Sequence, residues 1–457
     1  MTRQQLLVLV IAILASFVAF LDGSVVTVAL PAMSAELGGG LAVQQWIVDA
    51  YLITLGALIL VAGSLSDLLG RIRIIRLGLI GFGIASVLIA AAPTAELVIV
   101  LRAAQGIAGA LLVPSSLAMI MSAFRDQAQG KAIGHWTAWT TVAFIAGPIL
   151  GGLFVDTLSW RWIFGINVLP IAVTLWLLWR LGARDQRRPD AHVDVPGAIY
   201  GALGLGCTVF ALIEQDNFGW GSPLIWGTMA MGVAFLACFL WWETRTAHPM
   251  LPLSLFRIRN FSAGNIATVF VYAALAMGEF VLVIFLQQVA GFPALLAALA
   301  VLPVSIAVIA LSSLFGGLSS RFGPQLFMTL GPALAGCGYL LMLSIGQQVD
   351  YWLQVLPGIS LFALGLAVTV APLTAAILGP LPEHQAGVGS AVNNAVARIA
   401  GLLAIAALGI IVGGTLDVAG LHRALVVTAA LFFAGAVASL IGIRNPAPSL
   451  PAAQPSA

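Results

Sequence analysis

Residues 63–70 read GSLSDLLG and close the second of a series of long apolar runs along the chain. Residues 316–323 read GGLSSRFG and close the tenth of these runs. Superposing the two stretches places the second run on the tenth, an offset of eight runs. Two halves of six runs each, with two further runs between them, satisfy that offset. The repeat therefore predicts a molecule built from two related halves.

The composition predicts that the apolar runs cross a membrane. The chain has 457 residues, of which 61% are hydrophobic and only 8% are charged, whereas a soluble domain carries roughly 25% charged residues. The runs are about 18 to 26 residues long, which is enough to cross a hydrocarbon core of about 30 Å as a helix. Backbone groups in lipid must be satisfied within each segment, so the runs are predicted to be α-helices.

The sequence predicts fourteen membrane spans, with both termini on the cytoplasmic side. This orientation follows from the enrichment of arginine and lysine in cytoplasmic loops, because it leaves only Arg161 and Arg423 in outer loops. The predicted spans are residues 5–30, 44–64, 73–92, 96–123, 132–155, 162–181, 195–213, 223–242, 261–287, 293–318, 325–345, 352–378, 387–412 and 423–442.

Polar connectors divide the chain. The most polar of them, RDQRRPDAHVD at residues 184–194, falls where the first half would end and is interpreted as a cytoplasmic linker. The prediction is an N-terminal six-helix half at 1–183, the linker and two additional helices at 184–255, a C-terminal six-helix half at 256–444, and a disordered cytoplasmic tail at 445–457.

Several motifs follow one another along the spans. The first span contains LDGSVVTVALP at 21–31, and the second is followed by GSLSDLLGRIR at 63–73. The fourth contains LRAAQG at 101–106, and the fifth contains GPILGG at 147–152. The sixth span begins with WRWIFGIN at 160–167.

These motifs, together with the stretch from Gln287 to Pro303, resemble those of the fourteen-helix drug:proton antiporter branch of the major facilitator superfamily. The resemblance covers nearly the whole chain and departs at Ser24, Thr27 and Leu68, where Thr, Asn and Arg are usual. It also departs at Phe292, Pro293 and Ala298. It implies an all-α major facilitator fold with two six-helix halves and two extra central helices. Transporters built in this way place the substrate cavity between their halves, near the membrane midplane.

The resemblance also implies a conformational gate in two places. After the second span, Gly63 and Gly70 allow close approach and a tight turn, while Asp67 and Arg71 form a breakable charge network for which Asp126 is a candidate partner. In the fifth span, Gly147, Pro148, Gly151 and Gly152 resemble the antiporter motif GPxxGG, which is seen in exporters. A proline and three glycines make a thin, kinked helix that neighbours can approach closely.

Ionisable groups within spans are costly and usually face a cavity or a partner. Asp22 is interpreted as a protonatable or cation-attracting carboxylate, against a structural hydrogen bond to a neighbouring helix. Glu279 has no basic residue within one turn, so it is interpreted as a proton carrier or a partner for a substrate cation, against a permanently neutral side chain. Under the family topology Arg102 lies near Asp22 and acts in proton coupling, against a structural anchor.

The candidate substrate cavity comprises Asp22, Glu279, two tryptophans and two asparagines. Trp136 and Trp139 are three residues apart and share a helix face, so they could stack on a flat or cationic ligand; a membrane-interface role is equally open. Asn393 and Asn394 precede Arg398 by one turn, and for Arg398 coupling and structural roles remain open. Asp49 is expected to be solvated or to cap a helix near the outer mouth.

These residues predict a proton-coupled antiporter that exports amphipathic, often cationic, small molecules by alternating access. The chain lacks a GxxxxGK[ST] loop, so the proton gradient is the expected driver, without a cofactor, a metal, a nucleic acid or an enzymatic step. The expected protein is a monomer in the bacterial cytoplasmic membrane. A dedicated exporter of one endogenous metabolite and a facilitator or importer of a small polar solute are the alternatives.

Overall fold

The structure is a computed structural model that describes residues 1–182, 185, 192–382 and 385–445, without the side chains of Asp126 and Gln127. The described residues contain fourteen helices long and apolar enough to cross a membrane, which confirms the predicted number. They are α1 Arg3–Leu37, α2 Gly40–Leu69, α3 Arg71–Ala90, α4 Ala95–Ala123, α5 Asp126–Thr157, α6 Trp162–Leu181, α7 Val195–Phe218, α8 Pro223–Glu243, α9 Arg259–Gln288, α10 Ala294–Phe322, α11 Pro324–Ser344, α12 Tyr351–Leu378, α13 Ala386–Val412 and α14 Val418–Gly442. Most of the predicted linker at 184–194 and of the predicted tail at 445–457 lies outside the described residues.

Helix packing repeats with the offset that the sequence predicts. Helix α1 packs on α5 as α9 packs on α13, and α2 packs on α4 as α10 packs on α12. Helix α3 likewise packs on α4 as α11 packs on α12. Each of these pairs is related to its counterpart by eight helices. The all-helical fold therefore contains two similar six-helix arrangements, α1–α6 and α9–α14, which are called the first and second halves below.

The glycines that follow α2 and α10 have the same backbone conformation, and the helix after each is capped in the same way. Gly70 has φ +104° and Gly323 has φ +85°. Residues other than glycine rarely adopt such positive values of φ. The Asp185 carboxylate accepts hydrogen bonds from the backbone amides of Ile72 at 3.0 Å and Arg73 at 2.8 Å, at the start of α3. Asn445 does the same at the start of α11, where its Oδ1 accepts from the amide of Gln325 at 3.1 Å. The sequence repeat is thus also a repeat of capping geometry.

The two additional helices lie on one flank of the bundle. Helix α7 packs against α8 and α2, and the Trp46 indole N–H donates to Glu214 Oε1 at 2.8 Å between α2 and α7. Asp194 caps the start of α7 by accepting from the Gly197 amide at 3.0 Å. Much of α8 is exposed on the outside of the bundle. Helix α7 also packs against α13 of the second half, so the additional helices flank the bundle where its two halves adjoin.

The two halves meet through α1, α2 and α5 on one side and α9, α10 and α13 on the other. Gln287 of α9 donates from Nε2 to the Val28 carbonyl at 3.0 Å. Gln45 of α2 donates from Nε2 to the Ile405 carbonyl at 2.5 Å. Both bonds lie at the end of the bundle where α1 finishes, which is the predicted outer end. The structure therefore represents a state in which the halves are joined at that end.

Candidate transport site

A buried ion pair lies at the centre of the first half. Asp22 on α1 is 0% exposed and Arg102 on α4 is 1% exposed. Arg102 Nη1 lies 2.5 Å from Asp22 Oδ2. The other carboxylate oxygen, Oδ1, accepts from Gln105 Nε2 and Asn167 Nδ2, each at 3.0 Å. One full positive charge and two amide donors therefore compensate this carboxylate within the helix bundle.

A second layer of contacts fixes the donors. Ser86 Oγ on α3 accepts from Gln105 Nε2 at 2.9 Å. Arg102 Nε donates to the Ile47 carbonyl of α2 at 3.1 Å, and its guanidinium carbon lies 4.2 Å from the centre of the Tyr51 ring. Buried polar networks hold their helices in one arrangement when their groups are hydrogen-bonded, and in this one Asn167 Oδ1 alone lacks a partner among the described residues. This network joins α1, α2, α3, α4 and α6.

The family resemblance places Arg102 near Asp22, and the structure brings the two together. Sequence reasoning missed the other members of the network. Gln105 follows Arg102 by one turn within the LRAAQG motif, and Asn167 ends the WRWIFGIN motif. The motifs could therefore have identified both as site residues. Ser86 lies in an apolar stretch of α3 with no motif around it.

A cavity of about 180 Å³ lies between the halves beside this network. Its polar wall consists of Thr27, Tyr51, Arg102, Glu279 and Arg398. Its apolar wall is formed by residues of α1, α2, α5, α9 and α13, among them Phe20, Val26, Leu52, Phe144, Phe280 and Ile405. Glu279 is exposed to the cavity. Asp22 does not belong to the wall in this state, because it is fully buried and Arg102 stands beside it on the cavity side.

The two tryptophans on α5 have different surroundings. The Trp136 indole N–H donates to Ser16 Oγ on α1 at 3.0 Å, and its ring meets Phe20 edge-on at a centroid distance of 6.4 Å. The side chain of Trp139 is 52% exposed. Neither ring lines the 180 Å³ cavity. The residue of α5 that lines it is Phe144. The predicted stacking pair is therefore not assembled in this state.

The two asparagines on α13 also lie away from that cavity. Asn393 Nδ2 donates to Thr268 Oγ1 at 2.8 Å and to Asn265 Oδ1 at 3.2 Å, and both acceptors are on α9. Asn394 is exposed. Asn393 thus ties α13 to α9 within the second half, and the residue of this segment that reaches the cavity is Arg398, one turn further on.

The charge pair of the predicted gate is local. Arg71 Nη2 lies 3.0 Å from Asp67 Oδ1, and both side chains are partly exposed. Gly70 is close to Asp185, because a Cβ added to Gly70 would overlap that carboxylate. A Cβ added to Gly63 would meet nothing within 4 Å. Asp126, predicted as a further partner of Arg71, has a side chain outside those that the structure describes.

The GPILGG motif of α5 packs on two partners. Gly147 and Gly151 approach Ser24 and Val25 on α1, which belongs to the same half. Gly152 approaches the other half, where an added Cβ would come within 2.5 Å of Leu295 Cα on α10. Pro148 lies inside the helix between these contacts. The glycines therefore permit two close helix approaches, one within a half and one between halves.

An aspartate that sequence reasoning missed bridges the halves beside Gly152. Asp156 Oδ1 accepts from the Ala294 amide at 3.0 Å, and Oδ2 accepts from the Leu295 amide at 2.9 Å. Both amides belong to the first turn of α10, where unpaired N–H groups and the helix dipole favour a negative charge. Asp156 therefore holds the halves together at the same end as Gln45 and Gln287.

We expect Gly152→Ala to weaken this closed end, because the added methyl group would press on the backbone of Leu295. Backbone cannot move aside as a flexible side chain does. In a background without the native cysteines, Val28→Cys would report opening, since Val28 is 2% exposed beneath α9 and α10. Labelling of that cysteine by a membrane-impermeant maleimide in intact cells should rise several-fold in Gly152→Ala.

The matched control is Gly134→Ala on the same helix, where an added Cβ would meet nothing within 4 Å. Labelling of Val28→Cys should then match that of the parent. Equal labelling in the two alanine variants would show that the Gly152 contact does not hold the outer end closed.

Asp49 on α2 differs from its expected surroundings. It is 0% exposed, and among the described residues neither carboxylate oxygen has a hydrogen-bond partner. Its neighbour one turn earlier, Gln45, makes one of the bonds between the halves. The expectation of a solvated or capping aspartate was therefore wrong: the helix face that carries Asp49 is covered by other helices.

Two repeated halves with a cavity between them and one closed end are features of membrane transporters. Residues 12–405 match the Major Facilitator Superfamily. The chain is 33% identical over 408 residues to the puromycin resistance protein pur8 of Streptomyces alboniger, covering 88% of this chain and 80% of that protein. It is 33% identical over 426 residues to the multidrug resistance protein Stp of Mycobacterium tuberculosis, covering 91% and 78%.

Solved structures agree on the fold. A POT family transporter in complex with 5-aminolevulinic acid superposes with a TM-score of 0.72 at 15% identity, over 96% of this chain and 95% of that chain. The chain therefore belongs to the Major Facilitator Superfamily, in its drug-efflux group, and is a multi-pass membrane protein.

Proposed function

We propose that this protein exports amphipathic small molecules across the bacterial cytoplasmic membrane in exchange for protons. The observation that carries the proposal is the arrangement around the cavity: Glu279 faces it, and the Asp22–Arg102 pair lies directly behind its wall. Relatives named for resistance to puromycin and to multiple drugs support export as the direction. The proton gradient is the driver, with no cofactor.

Glu279 is the group that exchanges substrate for protons. Its carboxyl faces the cavity, and none of the ion pairs within 4.0 Å among the described residues involves it. A carboxyl in a protein interior can bind a proton from one side and release it to the other when access alternates. A cationic group of the substrate and a proton would compete for it, so binding of one releases the other.

Arg102 transmits the state of the cavity to Asp22. It lines the cavity with one face and pairs with Asp22 with the other. A ligand that draws the guanidinium toward the cavity weakens its contact with Asp22 and leaves that carboxylate free to take a proton. Asp22 therefore acts behind the substrate site, whereas Glu279 acts within it.

The halves rock about the cavity during transport. The state described here is joined at the predicted outer end by Asp156, Gln45 and Gln287. Releasing those contacts opens that end, and the Asp67–Arg71 segment supports closure at the opposite end. In this proposal the rocking units are 1–183 and 256–444, the helices within 184–255 are accessory, both termini are cytoplasmic, and one chain suffices.

Everted membrane vesicles test the proposal. Respiring vesicles that contain the protein should accumulate puromycin or a lipophilic cation, and a protonophore should abolish the accumulation. Vesicles without the protein provide the background. Accumulation that persists with the protonophore, or that appears only when ATP is supplied, would rule out proton-driven export.

A further inference from the structure

One positive charge on the cavity wall has no ion-pair partner among the described residues. Arg398 on α13 lines the cavity. The ion pairs of the described residues join Arg71 to Asp67, Arg102 to Asp22 and Arg161 to Glu36, so Arg398 is in none of them. Its Nε is buried without a hydrogen-bond partner among those residues.

Structural arginines of the same half look different. Arg259 donates to the Gly442 and Ile441 carbonyls, each at 2.9 Å, and so ties the ends of two helices together. Arg423 donates from Nε to the Ile411 carbonyl at 2.9 Å. A guanidinium has five donors in a fixed fork, and a structural role uses them as these two residues do. The fork of Arg398 is left available on the cavity side.

The rest of the wall does not neutralise this charge. Arg102 also faces the cavity, but its charge is compensated by Asp22. Glu279 is on the same wall and lies beyond ion-pair distance of Arg398. A lone ionised group within a membrane protein is costly and marks a functional site. A ligand with a complementary negative charge removes that cost.

We propose that Arg398 binds an anionic oxygen group, foremost a carboxylate, of the exported molecule. The proposal rests on the export function and specifies its substrate class: an apolar or aromatic body that carries an acid. The planar fork of arginine matches the two oxygens of a carboxylate. The acid meets Arg398, a basic group on the same molecule meets Glu279, and the body packs on Phe20, Phe144 and Phe280.

The size of the cavity agrees with a part of such a molecule. The cavity holds about 180 Å³, whereas sites that enclose a whole drug-sized ligand are roughly 300–1,000 Å³. In this state the wall therefore accommodates the acidic end and about one ring. The remainder of the ligand would enter as the halves open.

Two dyes that differ only at the acid test the proposal. One is a xanthene dye with a free carboxylate, and the other is the methyl ester of the same dye. Each is titrated against the purified full-length protein, and each is then followed in everted vesicles. Arg398→Gln should weaken binding of the acid by about tenfold, a loss equivalent to one strong interaction, and should leave binding of the ester unchanged. Arg398→Lys should retain part of the preference for the acid.

Arg423→Gln is the matched control, because Arg423 is an exposed arginine of the same half away from the cavity; it should not separate the two dyes. If Arg398→Gln weakens acid and ester alike, or neither, Arg398 is not the acid site. If Arg398→Gln discriminates the dyes in binding but the wild type does not drive either dye with the proton gradient, the export proposal fails and the assignment of Arg398 stands.

Discussion

Replacing Arg102 with methionine should cost about 3–5 kcal/mol of folding stability and abolish transport, because it leaves the Asp22 carboxylate buried without its charge partner. The pair is almost completely buried, with exposures of 1% and 0%. Methionine fills a similar volume, so the loss reflects charge more than packing. Thermal unfolding of the detergent-purified protein measures the change.

Two further variants separate charge from packing. Asp22→Asn combined with Arg102→Met removes both charges, so the double variant should recover most of the lost stability while transport stays absent. Arg161→Met breaks the partly exposed pair with Glu36 at 2.6 Å, and such a pair is worth about 0–1 kcal/mol. If Arg102→Met lowers the unfolding temperature no more than Arg161→Met does, the buried pair is not the element that organises the first half.

Glu279→Gln should abolish proton-driven export while leaving binding of a neutral substrate in place. Glutamine keeps the size and hydrogen-bonding capacity of the side chain but cannot exchange a proton. Concentrative efflux in everted vesicles should therefore fall to the background level. Exchange of labelled for unlabelled neutral substrate, which needs no net proton movement, should continue at a rate comparable with that of the wild type.

Glu96→Gln is the control for this change. Glu96 is an exposed acid in the first turn of α4, so its neutralisation should alter neither concentrative efflux nor exchange. Loss of both activities in Glu279→Gln would indicate a structural role for Glu279. Full concentrative efflux in Glu279→Gln would assign the proton to another carboxyl.

The fold was largely predictable, because the properties that decide it are local. Each helix must satisfy its own backbone in lipid, so hydropathy and length alone identify the spans, including α7, whose last turn carries the polar residues around Asp216. The repeat of Gly70 at Gly323 gave the arrangement of the halves. Asp185 and Asn445 cap the following helices and leave no room for a Cβ at those glycines. Both come from distant parts of the chain, so no local sequence pattern predicts them.

The site was predictable from motifs for Asp22 and Arg102, and from an isolated charge within a span for Glu279, which lines the cavity. Asp22 and Arg102 lie in motifs, and the structure places them 2.5 Å apart. For the other candidate residues, the rotation of each helix about its axis and the helices packed against it determine whether the side chain faces the cavity. Trp136 and Trp139 share a helix face by spacing, yet one donates to Ser16 and the other is half exposed. Spacing fixes which residues of one helix are neighbours but not which helix lies opposite, so it could not place Asp49, Asn167 or Asp156.

Proton movement on addition of substrate tests the central claim most directly. Everted vesicles that maintain an acidic interior are monitored with a pH-sensitive acridine dye, and substrate is then added. Antiport predicts that substrate dissipates part of the pH gradient in the wild type and not in Glu279→Gln. Export of substrate by the wild type without any change in the gradient, or an unchanged response in Glu279→Gln, would contradict the account.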